Sequence, residues 1–181
     1  MEAQLPRAST TFSGAVVVYF DGACESARPG RLATYGFTLA GESLSYEERG
    51  LAVRPGSPRA TNNVAEYVGA TRALEWLVGR QYTGPVFLCG DSQLVVRQMK
   101  GEYTVKADHL KAYHEHLTRL ARTFERVEYV WVPREQNRRA DELTKLAIAE
   151  ARAEAVTRSE ARPERLLAST QSDLEIAHDP D

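Results

Sequence analysis

The chain has only two cysteines, Cys24 and Cys89, in 181 residues. Two thiols exclude a disulfide framework and a cysteine-built zinc site, and they make reducing cytoplasm the expected compartment. No apolar run approaches the roughly 20 residues that cross a bilayer, so no membrane association is expected. The first fourteen residues have no apolar stretch of the secretory kind and read as a flexible leader. Positive charge is not in excess: 23 Lys and Arg stand against 25 Asp and Glu, a net charge of −2. That balance argues against a broadly basic nucleic-acid-binding surface. It is uneven, because from Thr157 to Asp181 three Arg face six Asp or Glu, which leaves the rest of the chain at +1. Neither a Gly-rich phosphate loop nor a serine-nucleophile motif is present.

What is present is a single-domain pattern with a 43% hydrophobic content, ordinary for a globular core. Ala15 to Phe20 is an apolar, β-rich run ending in Asp21-Gly22, which predicts a buried strand and a turn. Ser26 to Arg31 reads as a Pro/Gly loop. Ala33 to Ala40 and Leu44 to Val53 read as a hairpin joined near Gly41-Glu42, followed by a loop from Arg54 to Arg59. A helix follows, with Asn62 or Asn63 as its cap and Glu66 in its first turn. Pro85 to Gly90 is a short strand stopping at Asp91. Ser92 to Met99 is helical, Gly101 breaks it, and Val105 to Phe124 is a longer amphipathic helix. Arg126 to Val132 is a strand, Pro133 to Asn137 a tight loop, and Gln136 or Asn137 opens a helix reaching about Val156. Residues 157–181, rich in Ser, Thr, Arg, Glu and Pro, read as a mostly disordered tail. The expected organisation is a leader at 1–14, a domain at 15–156 and that tail. Early hairpins followed by β–α–β crossovers predict an α/β fold, a mixed sheet with helices on its faces.

Four acids fall where chemistry is placed in such folds. Asp21 and Asp91 each follow an apolar strand, and sites in open α/β sheets form beyond the carboxyl ends of strands. Glu66 and Asp141 lie near helix starts that loops can aim at the same edge. Carboxylates packed together repel and lose hydration, so such a cluster calls for cations. Hard divalent ions take oxygen ligands, and two of them can drive an in-line phosphoryl displacement. Each acid alone also suits a turn or a helix N-terminus.

The blocks Tyr19-Phe-Asp21-Gly-Ala-Cys-Glu25, Thr61-Asn-Asn-Val-Ala-Glu66-Tyr, Gly90-Asp91-Ser-Gln93 and Trp131-Val-Pro133-Arg-Glu-Gln-Asn137-Arg-Arg-Ala-Asp141 resemble type 1 ribonuclease H in order and spacing. The resemblance covers about residues 15 to 150 and is closest to the compact archaeal-like branch. It implies a ribonuclease H-like fold with a five-stranded mixed sheet. It also implies an endonuclease that hydrolyses the RNA strand of RNA–DNA hybrids with two Mg²⁺ ions, Mn²⁺ being able to substitute, leaving 5′-phosphate and 3′-hydroxyl ends. By that resemblance Asp21, Glu66, Asp91 and Asp141 are the metal ligands. Asn62, Asn63 and Gln93 match positions that touch the hybrid in its minor groove, where amides suit 2′-hydroxyls and base edges. Arg59 and Thr61 match positions that grip a DNA phosphate, and Asn137 is placed with the nucleic-acid contacts. A monomer is expected.

The sequence departs from the family in three places. The loop before the fourth acid holds no histidine; Arg134 stands in the comparable place and is expected to contact the scissile or leaving phosphate, since an arginine cannot serve as a base. The basic, Trp-containing handle of some relatives is replaced by Met99 to Lys106, with only two lysines, and no hybrid-binding domain is expected before Ala15. Fewer phosphate contacts predict modest, weakly salt-sensitive binding. The family's Asn before Pro-Gly is here Arg28. Two rival readings are a different specificity, such as duplex RNA, and a non-catalytic nucleic-acid-binding module.

Overall fold

Alternating apolar side chains decide which face of the sheet is covered. In β1 (Val16–Ala27) the residues Val16, Val18 and Phe20 are buried, and their register partners on either side are buried with them: Leu39 and Phe37 on β2 (Gly30–Ala40), Val86 and Leu88 on β4 (Val86–Gly90). Helix α1 (Asn62–Gly79) lays Val64, Tyr67, Ala70, Leu74 and Leu77 on that face, a helical spacing that forms one stripe. Leu110 and Leu117 of α3 (Asp108–Ala121) and Val95 and Val96 of α2 (Gln93–Met99) complete the core. Strands β3 (Ser45–Leu51) and β5 (Val127–Trp131) form the two edges of the sheet, whose order is β3-β2-β1-β4-β5. β1, β2 and β3 pair antiparallel, whereas β4 runs parallel to both β1 and β5. The expected five-stranded mixed sheet is therefore the observed one.

The computed structural model describes residues 14–27 and 30–175, with side chains at 14–26 and 30–158. The chain divides into two compact units, Met1–Ile148 and Ala149–Asp181. Helix α4 (Arg138–Glu175) begins in the first unit, and its backbone continues through Glu175 rather than ending near Val156. No helix among the described residues is long and apolar enough to cross a membrane. The leader to residue 13, the Arg28-Pro29 segment and residues 176–181 lie outside the described residues.

Several boundaries differ from the sequence pattern for physical reasons. β1 does not stop at Phe20; it stays paired with β2 as far as Ala27, so Ser26 and Ala27, expected in the Pro/Gly loop, are strand, as are Gly30 and Arg31. Only the ladder with β4 ends there, at the pair Phe20 and Gly90. α3 is shorter than the apolar periodicity from Val105 to Phe124. Phe124 is buried and Val105 packs against the core from irregular backbone, so both ends kept the apolar pattern without the helix. The cap of α1 is Thr61, whose Oγ1 accepts from Val64 N at 3.2 Å, rather than Asn62 or Asn63. Glu66 is consequently in the second turn, not the first.

Candidate active site

Glycines let two helices crowd one end of the β1–β2 pair. A Cβ on Gly22 would lie 2.1 Å from Glu66 N, and one on Gly69 would lie 2.9 Å from Asp21 O. Helix α1 thus rests directly on β1, and this carries Glu66 to the strand that holds Asp21. A Cβ on Gly36, the register partner of Asp21, would lie 2.6 Å from Leu143 Cβ and 2.7 Å from Ala140 O. Helix α4 approaches there, with Asp141 in its first turn. Asp91 follows the last residue of β4, held by Trp131, whose Nε1 donates to Asp91 O at 3.0 Å, and by Val132 N, which donates to Gly90 O at 3.0 Å.

The result is one pocket of about 280 Å³ lined by all four sequence-predicted acids, together with Ser92 and Arg134. Asp21 lies within a continuous strand rather than just past one, yet it sits one residue beyond the β1–β4 ladder, where the parallel pairing stops. Burial and the neighbouring charge of Asp91 push the Asp21 carboxyl up to about 7. Burial pushes Glu66 up to about 8, the Ser92 hydroxyl opposing this and the Asp21 and Asp91 charges adding to it. Desolvation would raise Asp141 too, but hydrogen bonds from Lys145 and Arg134 hold it below the usual carboxylate range.

The donor set suits a hard divalent cation. It is all carboxylate oxygen, and Glu66 Oε2 is buried with no hydrogen-bond partner. Among the described residues no three such groups close around a single ion. Asp141 instead gives Oδ1 to Arg134 at 2.7 Å and Oδ2 to Lys145 at 2.5 Å, as expected of a carboxylate that finds cationic side chains within reach. Asp21, Glu66, Asp91 and Asp141 are the residues that could hold metal.

The expected nucleic-acid contacts divide into three groups. Thr61, Asn62 and Asn63 line a second pocket of about 220 Å³ that shares Cys24 and Asn62 with the first. Gln93 is exposed at the start of α2. Arg59 is exposed on its loop and lines neither of these pockets; the cationic side chain in the second is Arg31, which no motif singled out. Asn137 requires a correction. It is 1% exposed, so it cannot reach a nucleic acid in this structure, and it bonds instead to Phe20 O and Asp91 Oδ1. The sequence also missed Lys145, although its i+4 spacing from Asp141 on a helix could have revealed it. Arg134 is exposed, and its guanidinium is spent on Asp141.

A family model described as reverse transcriptase-like matches residues 48–147. A bifunctional protein of Mycobacterium tuberculosis is 40% identical over 111 residues, 61% of this chain and 30% of that protein. This chain thus spans about 30% of the length of the mycobacterial relatives it matches. The N-terminal RNase H domain of that protein, solved as a fusion with maltose-binding protein, superposes with a TM-score of 0.67 at 35% identity, over 79% of this chain and 99% of the other. Ribonuclease HI of Halobacterium salinarum is 33% identical over 76% of this chain and 66% of its own, and its crystal structure gives a TM-score of 0.65. A ribonuclease H1 isolated from compost, LC11, solved in complex with an RNA/DNA hybrid, gives 0.64 at 34% identity, over 75% of this chain and 98% of that one. With the sheet order, the acid-lined pocket and these relatives in agreement, the chain belongs to the type 1 ribonuclease H family.

Proposed function

We propose that this protein is a metal-dependent endonuclease that hydrolyses the RNA strand of RNA–DNA hybrids, leaving 5′-phosphate and 3′-hydroxyl ends. One observation carries the reading: Asp21, Glu66, Asp91 and Asp141, far apart in sequence, line a single pocket in which Glu66 Oε2 is buried and unpartnered. Bound Mg²⁺ or Mn²⁺, two ions in the full reading, would supply charge neutralisation and activation of water there. The chain's own residues do the rest. Asp21 presents its carboxylate from β1 and Asp91 from the residue just past the adjacent parallel strand β4, and Glu66 adds a third from α1. Asp141, less buried and tied to cationic side chains, is the loosest of the four. Asn62, Asn63 and Gln93 offer amides to the hybrid's minor groove, Thr61 with Arg31 or Arg59 meets a phosphate of the DNA strand, and Arg134 meets the scissile or leaving phosphate. The two free thiols suit a reducing cytoplasm, and the enzyme is taken as a monomer.

The test is cleavage of end-labelled hybrid, duplex RNA and duplex DNA in Mg²⁺ and in Mn²⁺, with wild type beside Asp91→Asn. Hybrid-only cleavage that disappears in the variant is expected. Wild-type protein inert on hybrid in both metals would end the reading, and equal cutting of duplex RNA would replace its specificity.

A further inference from the structure

We propose that Asn137 is a positioning residue whose buried carboxamide fixes the Asp91 carboxylate relative to the strand that carries Asp21. The proposal rests on the reading of this pocket as a divalent-cation centre. Asn137 Nδ2 donates to Phe20 O at 2.9 Å and to Asp91 Oδ1 at 3.1 Å. Both partners can only accept, so chemistry alone decides that the NH₂ end of the amide faces them. Phe20 immediately precedes Asp21. The main-chain carbonyl of Asn137 in turn accepts from Asp141 N at 3.1 Å, in the first turn of α4. One residue is therefore bonded to Asp91 itself and to the backbone that supports Asp21 and Asp141.

The other end of the amide shows what it is there for. Asn137 Oδ1 is buried with no partner, and an unmet buried acceptor is costly. An apolar side chain would fill the space without that cost, so the position is occupied for its donors. Those donors oppose a specific tendency. Asp21 and Asp91 repel each other, and a free Asp91 side chain would turn away from its neighbour. Held by Asn137, one oxygen of Asp91 is occupied, and the carboxylate keeps the orientation in which it lines the pocket with Asp21. Hydrogen bonds to a ligating carboxylate act on metal affinity in this way.

The experiment uses the full chain as wild type, Asn137→Ala and Asn137→Ser. It measures kcat and KM on a labelled hybrid, Mn²⁺ binding by calorimetry without substrate, and thermal unfolding in chelator. In Asn137→Ala the Mn²⁺ Kd is expected to weaken by roughly 10-fold or more and kcat to fall by roughly 10–100-fold. KM should stay within about threefold, because Asn137 touches no substrate. Asn137→Ser, which keeps one donor, should lie between. A merely structural role would lower the melting temperature while kcat per folded molecule and Mn²⁺ Kd match wild type; that result overturns the proposal. If the alanine variant does not fold, the serine variant decides by the same two readouts. Wild-type protein that neither binds Mn²⁺ nor cuts hybrid overturns the underlying reading, whereas wild type that does both while the variants equal it overturns the positioning role alone.

Discussion

Asp21 and Glu66 are acids held where an ionised carboxylate is poorly solvated. The unfolded chain releases their protons near pH 4, whereas burial first, and then the charge of neighbouring acids, keep them bound to about pH 7 for Asp21 and about pH 8 for Glu66. The metal-free folded state therefore binds more protons than the unfolded state between those values, and stability falls as pH rises across that window. Asp21→Asn and Glu66→Gln remove the penalty. Each is expected to stabilise the chelator-treated protein at pH 8.5 by on the order of 2 kcal/mol while abolishing hybrid cleavage. Thermal melts at pH 5 and pH 8.5 check this, and a variant that melts below wild type at pH 8.5 contradicts it. Arg134 poses a different question, since its guanidinium is exposed and already paired with Asp141. Arg134→Ala should lower kcat by roughly tenfold, less than the loss of a buried oxyanion donor. Unchanged steady-state turnover would remove Arg134 from the chemistry.

At the scale of elements, the site depends on backbones that touch. α1 can carry Glu66 to β1 only because Gly22 leaves the space empty. A methyl group there would meet Glu66 N and Ala65 C, both main-chain atoms that cannot swing aside. Gly22→Ala is expected to cost more than the usual 1–3 kcal/mol of overpacking, about 3 kcal/mol or more. The readout is the chelator-treated melting temperature; a change of under about 2 °C would mean that α1 yields more easily than packed backbone should. Gly36 does for α4 what Gly22 does for α1. The Asp-Gly pair at 21–22 thus combines a ligand candidate with the vacancy that lets its neighbour arrive. A sequence reader takes the same pair for a turn, because Gly after Asp is the common turn signal.

At the scale of the molecule, charge is the limiting resource. The net charge of −2 is spread over a chain whose α2–α3 connection offers exposed Lys100 and Lys106. On the proposed function, the candidates for phosphate contact come down to a few cationic side chains such as Arg31 and Arg134, which line the two pockets, and the exposed Arg59. The logarithm of the hybrid affinity should therefore fall against the logarithm of salt with a slope shallower than about −4. Fluorescence anisotropy in Ca²⁺, which occupies oxygen sites while turnover is suppressed, gives that slope directly. A slope of about −6 or steeper would mean an extended basic track that the residues between Met99 and Lys106 do not offer.

The four acids, the mixed sheet and the family were readable without coordinates, because strand alternation, helical spacing and motif order are properties of neighbouring residues. So were the end of β4 and the start of α2, where Gly90 and Ser92 mark the change. Other features were not readable. Apolar periodicity from Val105 to Phe124 could not separate a helix from the irregular flanks that also bury side chains. Nothing around Asp21 announced that β2 would keep β1 extended to Ala27, since that pairing is made by residues distant in sequence. Asn137 stood in a motif as a surface contact and is instead closed in between β1 and α4. Local pattern determined which residues this protein brings to its chemistry. Only packing, through the vacancies at Gly22 and Gly36 and the burial they permit, decided how closely those residues stand and which of them line the pocket.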